Sequence, residues 1–231
     1  MKLGVFTDSH YSSAKVTCGC RYNDQSLRKI KEAYDFFEKE KCDLVVCLGD
    51  VIDTEPSVDK EIRNLEEVSK IIQKSVVPTV CLMGNHDAFV LEREKFYEII
   101  GAAPTDELYV DGKRLIFLDT CYFKSGRHYL PGDTDWTDCF LPNENGLKAM
   151  LEDITEDTYI FMHQNIDPAA PENHRLFNAD NVFCIINESK SVKCVFQGHY
   201  HSGCDSEYDG VRYITLPAMC ENEGAFRVYE L

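Results

Sequence analysis

Residues 44–53 read LVVCLGDVID, an apolar run that is followed at once by Gly49, Asp50 and, three residues later, Asp53. A run this short, rich in valine and ended by a glycine, predicts a buried strand that leads into a polar loop. The loops that follow strands are where α/β folds assemble their sites. This stretch therefore predicts an element of the fold and, directly after it, part of a functional site.

Four further motifs occur elsewhere in the chain, and each comes at or near the end of a predicted strand. In chain order they are Asp8-Ser9-His10, Gly84-Asn85-His86-Asp87, His163, and Gly198-His199-Tyr200-His201. Five of the 7 histidines of the protein fall inside these motifs. Carboxylate, imidazole and amide oxygen are donors that suit manganese, iron or zinc. Together the motifs predict a metal site built from several strand ends.

Each motif alone has a simpler interpretation. A single D-x-H or H-x-H has little weight, and Asp50 and Asp53 are also good caps for a following helix. The two outer residues of D-x-H or H-x-H can converge on one metal only where the strand ends and the chain turns. All five motifs in order, each after an apolar run, favour one shared site.

The remaining pattern is that of an α/β protein. Short apolar runs recur along the chain, at residues 3–6, 79–83, 114–118, 159–162, 182–186, 194–196, 211–216 and 226–229. Helical stripes lie between them, at residues 27–37, 62–72, 89–100 and 147–154. Asn23 or Asp24 is a plausible cap for the first helix. We expect one domain over residues 1–231, with sheets covered by outer helices. Two long segments, residues 121–143 and 164–181, are expected to cover a site.

Composition limits the choice of partners. The net charge of −16 and the lack of a basic stripe argue against nucleic acid and against an anionic membrane surface, and favour small substrates. No segment has the length of a membrane span, and because the first residues lead straight into a motif we expect no signal peptide. The 11 cysteines are odd in number and several lie inside apolar runs, which predicts reduced thiols and a cytoplasmic protein. Cys18 and Cys20 are interpreted as incidental thiols of a loop.

The succession D-x-H, G-D-x-x-D, G-N-H-D, H and G-H-x-H resembles the calcineurin-like metallophosphoesterases, from Asp8 to His201. The resemblance implies a four-layer α/β/β/α sandwich of two mixed β-sheets flanked by helices, and a binuclear metal centre of two divalent ions (Mn, Fe or Zn). The implied ligands are Asp8, His10 and His201 for metal position 1, Asn85, His163 and His199 for metal position 2, and Asp50 as the bridge. His86 is implied to face the substrate, and Asp53 to orient His86.

These implied roles make chemical sense. Two ions roughly 3.5–4 Å apart can activate a bridging water and grip the phosphoryl oxygens. Asp50 suits the bridge because a carboxylate offers two oxygens. His86 can give a proton to the departing oxygen, since an imidazole titrates near neutrality. We expect a hydrolase in which a metal-bridging hydroxide attacks a phosphorus atom.

Departures from the family pattern narrow the range of expected substrates. Ser/Thr protein phosphatases have an arginine after G-D-x-x-D, whereas this chain has Thr54. The segment around Arg21 and Tyr22 resembles the manganese-dependent ADP-ribose/CDP-alcohol diphosphatases, and cyclic-nucleotide phosphodiesterases share the metal motifs. We therefore expect a phosphodiester or pyrophosphate bond in a small, nucleotide-like compound. Asn85, His86, Arg21 and Arg127, with Lys124, are candidates for substrate contacts.

Several alternatives stay open at this point. A phosphomonoesterase of the same family, a nuclease, and a catalytically silent protein-binding scaffold with this fold share much of the pattern. The complete set of ligand positions disfavours the scaffold, and the acidic surface disfavours the nuclease. Trp136 and Tyr22 are interpreted as filling hydrophobic space, and His128 and His174 as ordinary loop residues.

Overall fold

The computed structural model describes residues 1–231. Strands dominate its centre, and helices lie between them along the chain. The strands are β1 (Lys2–Phe6), β2 (Leu44–Cys47), β3 (Thr79–Cys81), β4 (Glu107–Val110), β5 (Lys113–Leu118), β6 (Tyr122–Phe123), β7 (Cys139–Phe140), β8 (Thr158–Met162), β9 (Val192–Gln197), β10 (Cys204–Tyr208), β11 (Val211–Thr215) and β12 (Phe226–Glu230). The helices are α1 (Ser26–Glu40), α2 (Val58–Lys74), α3 (Asn85–Val90), α4 (Arg93–Ile100), α5 (Glu144–Leu151) and α6 (Ala179–Glu188).

Ten of the strands form two large mixed sheets. The first has the order β12-β1-β2-β3, and the second has the order β10-β11-β9-β8-β5-β4. Within each sheet the central strands are parallel, and antiparallel strands lie at the edges: β12 in the first sheet, β10 and β4 in the second. Strands β6 and β7 form a separate two-stranded sheet. Parallel neighbours bring their carboxyl ends to the same edge, which is where the motif residues follow.

The alternation of side chains along the strands explains the layers. Val5 and Val46 belong to a cluster between the two sheets, whereas Phe6 and Val45 pack on the helical side. The second sheet contributes Phe161 to the cluster between the sheets, and its ring stacks on neighbouring phenylalanines with centroids 5.1–5.2 Å apart. Because successive side chains of a strand point to opposite faces, both faces of each sheet are buried. The predicted α/β/β/α sandwich is confirmed.

Three details of the predicted elements are wrong. The apolar run 182–186 belongs to α6, where Val182 and Ile186 are buried one helical turn apart; such a short run does not distinguish a strand from a helix by periodicity. The predicted helix over residues 89–100 is two helices, because the chain becomes extended at the buried residue Leu91. Neither Asn23 nor Asp24 caps α1, since a 3₁₀ turn over Asn23–Gln25 precedes that helix.

Segments 121–143 and 164–181 contain little regular structure. The first holds the small β6–β7 sheet, and the second holds a 3₁₀ turn at Glu172–His174. Each contributes one aromatic side chain, Trp136 and His174, to the cavity described below. No helix of the structure combines the length and the apolar character that crossing a membrane requires.

Candidate metal centre

Seven side chains from five strand ends meet at one edge of the sandwich. Asp8 and His10 follow β1, Asp50 follows β2 and Asn85 follows β3. From the second sheet, His163 follows β8, while His199 and His201 follow β9. All of them are buried except His201, which is partly exposed. The structure thus brings together all seven residues that the family resemblance implies as ligands.

The backbone at these strand ends is unusual. Asp8, His10, Asp50 and His199 have φ values of 52°, 43°, 52° and 65°, in the left-handed region that side chains other than glycine seldom adopt. Such conformations cost on the order of 1–3 kcal/mol each and cluster at functional sites. The turn that they produce brings Asp8 and His10 to one point. Gly84 is required beside them, since a Cβ there would lie 2.1 Å from Asp50 Oδ1.

At metal position 1 the donor atoms lie close together. Asp8 Oδ1 is 3.4 Å from His201 Nε2 and 3.6 Å from His10 Nε2, and these two nitrogens are 3.2 Å apart. His10 Nε2 is also 3.5 Å from Asp50 Oδ2. These separations are those of atoms that can surround one small cation.

Metal position 2 adjoins metal position 1, and Asp50 Oδ2 lies next to both. Asp50 Oδ2 lies 3.3 Å from His163 Nε2, and ligand atoms of Asp50, His163 and His199 are all within 4.8 Å of one another. The Asn85 amide is buried beside them, with its Oδ1 3.5 Å from Gln164 Nε2. Asp50 therefore lies between the two groups, where a bridging ligand would be.

Unpaired buried atoms support a fit to cations. Asp8 Oδ1 and His163 Nε2 are buried and have no hydrogen-bond partner. Buried polar atoms are nearly always paired in proteins, so each unpaired atom calls for an explanation. Carboxylate, imidazole and amide groups are donors that divalent ions of the first transition row accept. The residues present fit a pair of such ions.

Hydrogen bonds to their other polar atoms fix the orientation of Asp8 and His163. Asp8 Oδ2 accepts from Thr7 Oγ1 at 2.6 Å and from the His199 amide at 3.0 Å. His163 Nδ1 donates to the Leu48 carbonyl at 2.9 Å. These bonds leave Asp8 Oδ1 and His163 Nε2 facing the metal positions. Partners of this kind are a usual part of metal sites.

Two acidic residues hold the site without being predicted to do so. Glu221 Oε1 accepts a hydrogen bond of 2.5 Å from His201 Nδ1. Asp87 accepts from the amides of Val51, Ile52 and Gly84 at 2.9–3.0 Å, and so joins the loops after β2 and β3. Burial, with the charge of Asp50 nearby, raises the pKa of Asp87 to about 7. Asp87 is part of the G-N-H-D motif, whereas no motif contains Glu221.

His86 lies beside the ligand group, with Nδ1 next to Asp53 and Nε2 on the cavity side next to Arg21. Its Nδ1 lies 3.1 Å from Asp53 Oδ1, and its amide donates to Asp50 Oδ1 at 2.9 Å. Burial opposes protonation of the imidazole, but the carboxylates of Asp50 and Asp53 raise the pKa of His86 above its usual value. Burial also opposes ionisation of Asp53, but its hydrogen bond with His86 and the nearby His10 ring lower its pKa.

An open cavity of about 370 Å³ leads to these residues. Its lining residues are Cys18, Arg21, Asp50, Asn85, His86, Trp136, His174, His199 and His201. Arg21 Nη1 lies 3.4 Å from His86 Nε2 and 3.5 Å from Asp53 Oδ2. Trp136 and His174 pack on His199, with ring centroids 5.6 and 5.4 Å from it. The sequence predicts that Trp136 fills hydrophobic space and that His174 lies in an ordinary loop position. The structure instead places both residues in the cavity wall.

Two of the predicted substrate contacts lie elsewhere. Arg127 forms an ion pair of 2.9 Å with Asp133 and packs on Phe123, and it does not line the cavity. Lys124 lies 4.7 Å above the ring of Phe177 and is also absent from the cavity wall. Their positions depend on the path of segment 121–143, which sequence patterns do not determine.

The fold and the site together define a metal-dependent phosphoesterase with a binuclear centre. The model of the calcineurin-like phosphoesterase family matches residues 1–203. The chain belongs to this family, and it is a hydrolase that acts on phosphoester bonds.

Relatives and solved structures agree with this assignment. The chain is 23% identical over 216 residues to a probable cyclic nucleotide phosphodiesterase of Psychrobacter arcticus, covering 87% of this chain and 70% of the relative. It is 25% identical over 246 residues to a manganese-dependent ADP-ribose/CDP-alcohol diphosphatase of rice, covering 87% and 76%. A dimetal phosphatase from Danio rerio has the same fold, with a TM-score of 0.87, 21% identity, and coverage of 100% of this chain and 92% of that one.

Proposed function

We propose that this protein hydrolyses a phosphodiester or pyrophosphate bond in a small, nucleotide-like substrate. Asp8, His10 and His201 would hold one divalent ion, and Asn85, His163 and His199 would hold the other, with Asp50 as a ligand that both could share. When bound, the two ions supply Lewis acidity that activates water and neutralises the phosphoryl oxygens. Manganese is the ion we would supply first, because the rice relative is named for its dependence on manganese.

The protein side chains around the ions have separate tasks in this proposal. His86, held through Nδ1 by Asp53, presents Nε2 to the cavity and donates a proton to the departing oxygen. Asp53 keeps the ring in that orientation and favours its charged form. Arg21 lies beside His86, where its guanidinium can bind a second phosphate.

The shape of the cavity carries the proposal for the substrate. A cavity of about 370 Å³ is large for a single phosphate, and it combines a guanidinium at Arg21 with aromatic rings at Trp136 and His174. An aromatic ring can stack on a nucleobase for about 1–3 kcal/mol. The names of both relatives, a cyclic nucleotide phosphodiesterase and a nucleotide diphosphatase, are consistent with a substrate of this class.

Relative activities test the substrate class. With Mn²⁺ supplied, we expect kcat/KM to be higher for ADP-ribose and for bis-p-nitrophenyl phosphate than for p-nitrophenyl phosphate. The reason is that Thr54, at the position after G-D-x-x-D, provides no cation for a terminal dianionic phosphate. A clear preference for the monoester would contradict this substrate assignment, while leaving the two-metal centre intact.

Arg21 and Arg127 form a matched pair for a second test. We expect Arg21→Ala to lower kcat/KM for ADP-ribose by about 10–100-fold, since hydrogen bonds to charged groups contribute about 1.5–3 kcal/mol. The kcat/KM of Arg21→Ala for bis-p-nitrophenyl phosphate, which has no second phosphate, should fall less. Arg127→Ala removes the same charge from an exposed ion pair and should leave both activities unchanged. Equal losses for the two substrates in Arg21→Ala would remove Arg21 from the role of second-phosphate contact.

A further inference from the structure

Cys220 brings a thiol to metal position 1, a residue that none of the motifs contains. The residue follows β11 in the chain and its side chain is completely buried. Its sulfur and one ring nitrogen each of His10 and His201 lie within 4.8 Å of one another. Asp8 Oδ1, buried and without a hydrogen-bond partner, lies 3.4 Å from His201 Nε2. Besides Asp8, His10 and His201, this position therefore has a cysteine sulfur close to its two imidazoles.

The backbone around Cys220 is firmly held. The Cys220 amide donates to the Asp8 carbonyl at 3.0 Å, and the Cys220 carbonyl accepts from the Tyr22 amide at 3.0 Å. The buried ammonium group of Lys29 donates to the carbonyls of Met219 at 2.9 Å and Cys220 at 3.3 Å. The backbone that carries the thiol is therefore held next to the site by these hydrogen bonds.

The donor set has consequences for the choice of ion. A carboxylate, two imidazoles and a cysteine sulfur form a four-ligand set that zinc accepts. Thiolate is a soft ligand, whereas manganese prefers oxygen. Metal position 2 has imidazole, amide and carboxylate donors, and no cysteine belongs to its cluster. The two positions thus differ in the softness of their ligands.

We propose that Cys220 is a ligand at metal position 1 and makes that position selective for a thiophilic ion such as Zn²⁺ or Co²⁺ over Mn²⁺. The sulfur binds as the thiolate: its proton passes to solvent as the metal–sulfur bond forms. The inference rests on the proposed metal centre, and it adds to metal position 1 a sulfur ligand that none of the five motifs contains.

Cobalt(II) is the probe, because a thiolate bound to it gives a charge-transfer band in the near ultraviolet. The full chain is freed of metal with a chelator, titrated anaerobically with Co²⁺, and assayed for bound cobalt by elemental analysis. We expect the wild type to bind cobalt and to show the band at the first equivalent. Cys220→Ser should still bind cobalt but lose the band, and its ratio of Zn²⁺ to Mn²⁺ affinity should fall.

The two cysteines of the neighbouring loop provide the control. Cys18 lines the cavity, and Cys20 donates to Glu221, so either could supply a thiolate if Cys220 does not. A Cys18→Ser/Cys20→Ser variant should keep the band. A cobalt-loaded wild type without the band, or a band that is lost in this double variant, would overturn the role of Cys220. Failure of the wild type to bind cobalt would instead overturn the metal centre itself.

A folding defect in Cys220→Ser would not obscure the result. Cys220→Ala provides a second substitution, and circular dichroism checks the fold of each variant. The ¹¹³Cd NMR shift of the cadmium-loaded wild type also reports sulfur ligation without any mutation. A cadmium shift typical of nitrogen and oxygen ligands alone would overturn the proposal.

Discussion

Asp50→Ala is expected to lose both bound metal and activity. Asp50 Oδ2 lies 3.5 Å from His10 Nε2 and 3.3 Å from His163 Nε2, so it is the one carboxylate that faces both metal positions. Without it, two divalent ions would face each other with less negative charge to separate them. Removal of a single electrostatic donor typically lowers kcat by about 10²–10³-fold, and we expect a larger loss of activity in Asp50→Ala.

Metal content measured by elemental analysis decides this prediction. Asp53→Ala is the matched control, because it removes a buried carboxylate only three residues away that bonds His86 and faces neither position directly. The control should keep two ions per chain, while Asp50→Ala keeps fewer. Asp50→Asn, which preserves the size of the side chain, separates loss of charge from loss of packing. Full metal occupancy in both Asp50 variants would show that Asp50 is not the bridge.

Much of the site was predictable because its residues follow strands. Residues 44–48 are a short apolar run, and β2, which it contains, is a buried strand followed by Asp50. The same reasoning located Asn85 after β3 and His163 after β8. No sequence pattern showed how the side chains of Asp8 and His10 reach one metal position. They do so through a left-handed backbone conformation at both residues. Backbone conformation of this kind has no periodicity for sequence analysis to detect.

Residues that reach the site from distant loops were not predictable. Glu221 is 20 positions from His201 in the chain, yet its carboxylate bonds that imidazole. Trp136 and His174 come from two long segments whose paths depend on tertiary packing, and both line the cavity. Arg127 has the right charge in one of these segments but pairs with Asp133 instead. Charge and aromaticity indicate what a residue can bind, but its position depends on the fold.

The fold itself shows a similar division. Runs of valine, isoleucine and leucine predicted the central strands, because both faces of each sheet are buried. The run 182–186 was predicted as a strand but is part of α6, where Val182 and Ile186 pack inward one turn apart. Five apolar residues can satisfy either geometry, so only the packing of the whole chain decides between them.

His86→Ala is expected to keep both ions while kcat falls by about 10²–10⁴-fold, the usual contribution of a general acid. His86 is held by Asp53 at 3.1 Å through Nδ1, and its Nε2 lies on the cavity side near Arg21. The carboxylates of Asp50 and Asp53 raise the pKa of His86, which favours the protonated form that donates to the departing oxygen. Removing the ring leaves the oxygen to depart without a proton.

The leaving group provides the sharpest measurement for this variant. The leaving group of bis-p-nitrophenyl phosphate is a stable phenolate, which needs little protonation. In His86→Ala, kcat should therefore fall less for this substrate than for an alkyl phosphodiester. Asp53→Asn should show a smaller loss of the same kind, because the ring remains but is less firmly oriented. Elemental analysis of both variants supplies the control for metal content. Substantial metal loss in His86→Ala would make His86 a metal ligand, and equal losses for the two leaving groups would exclude it as the proton donor.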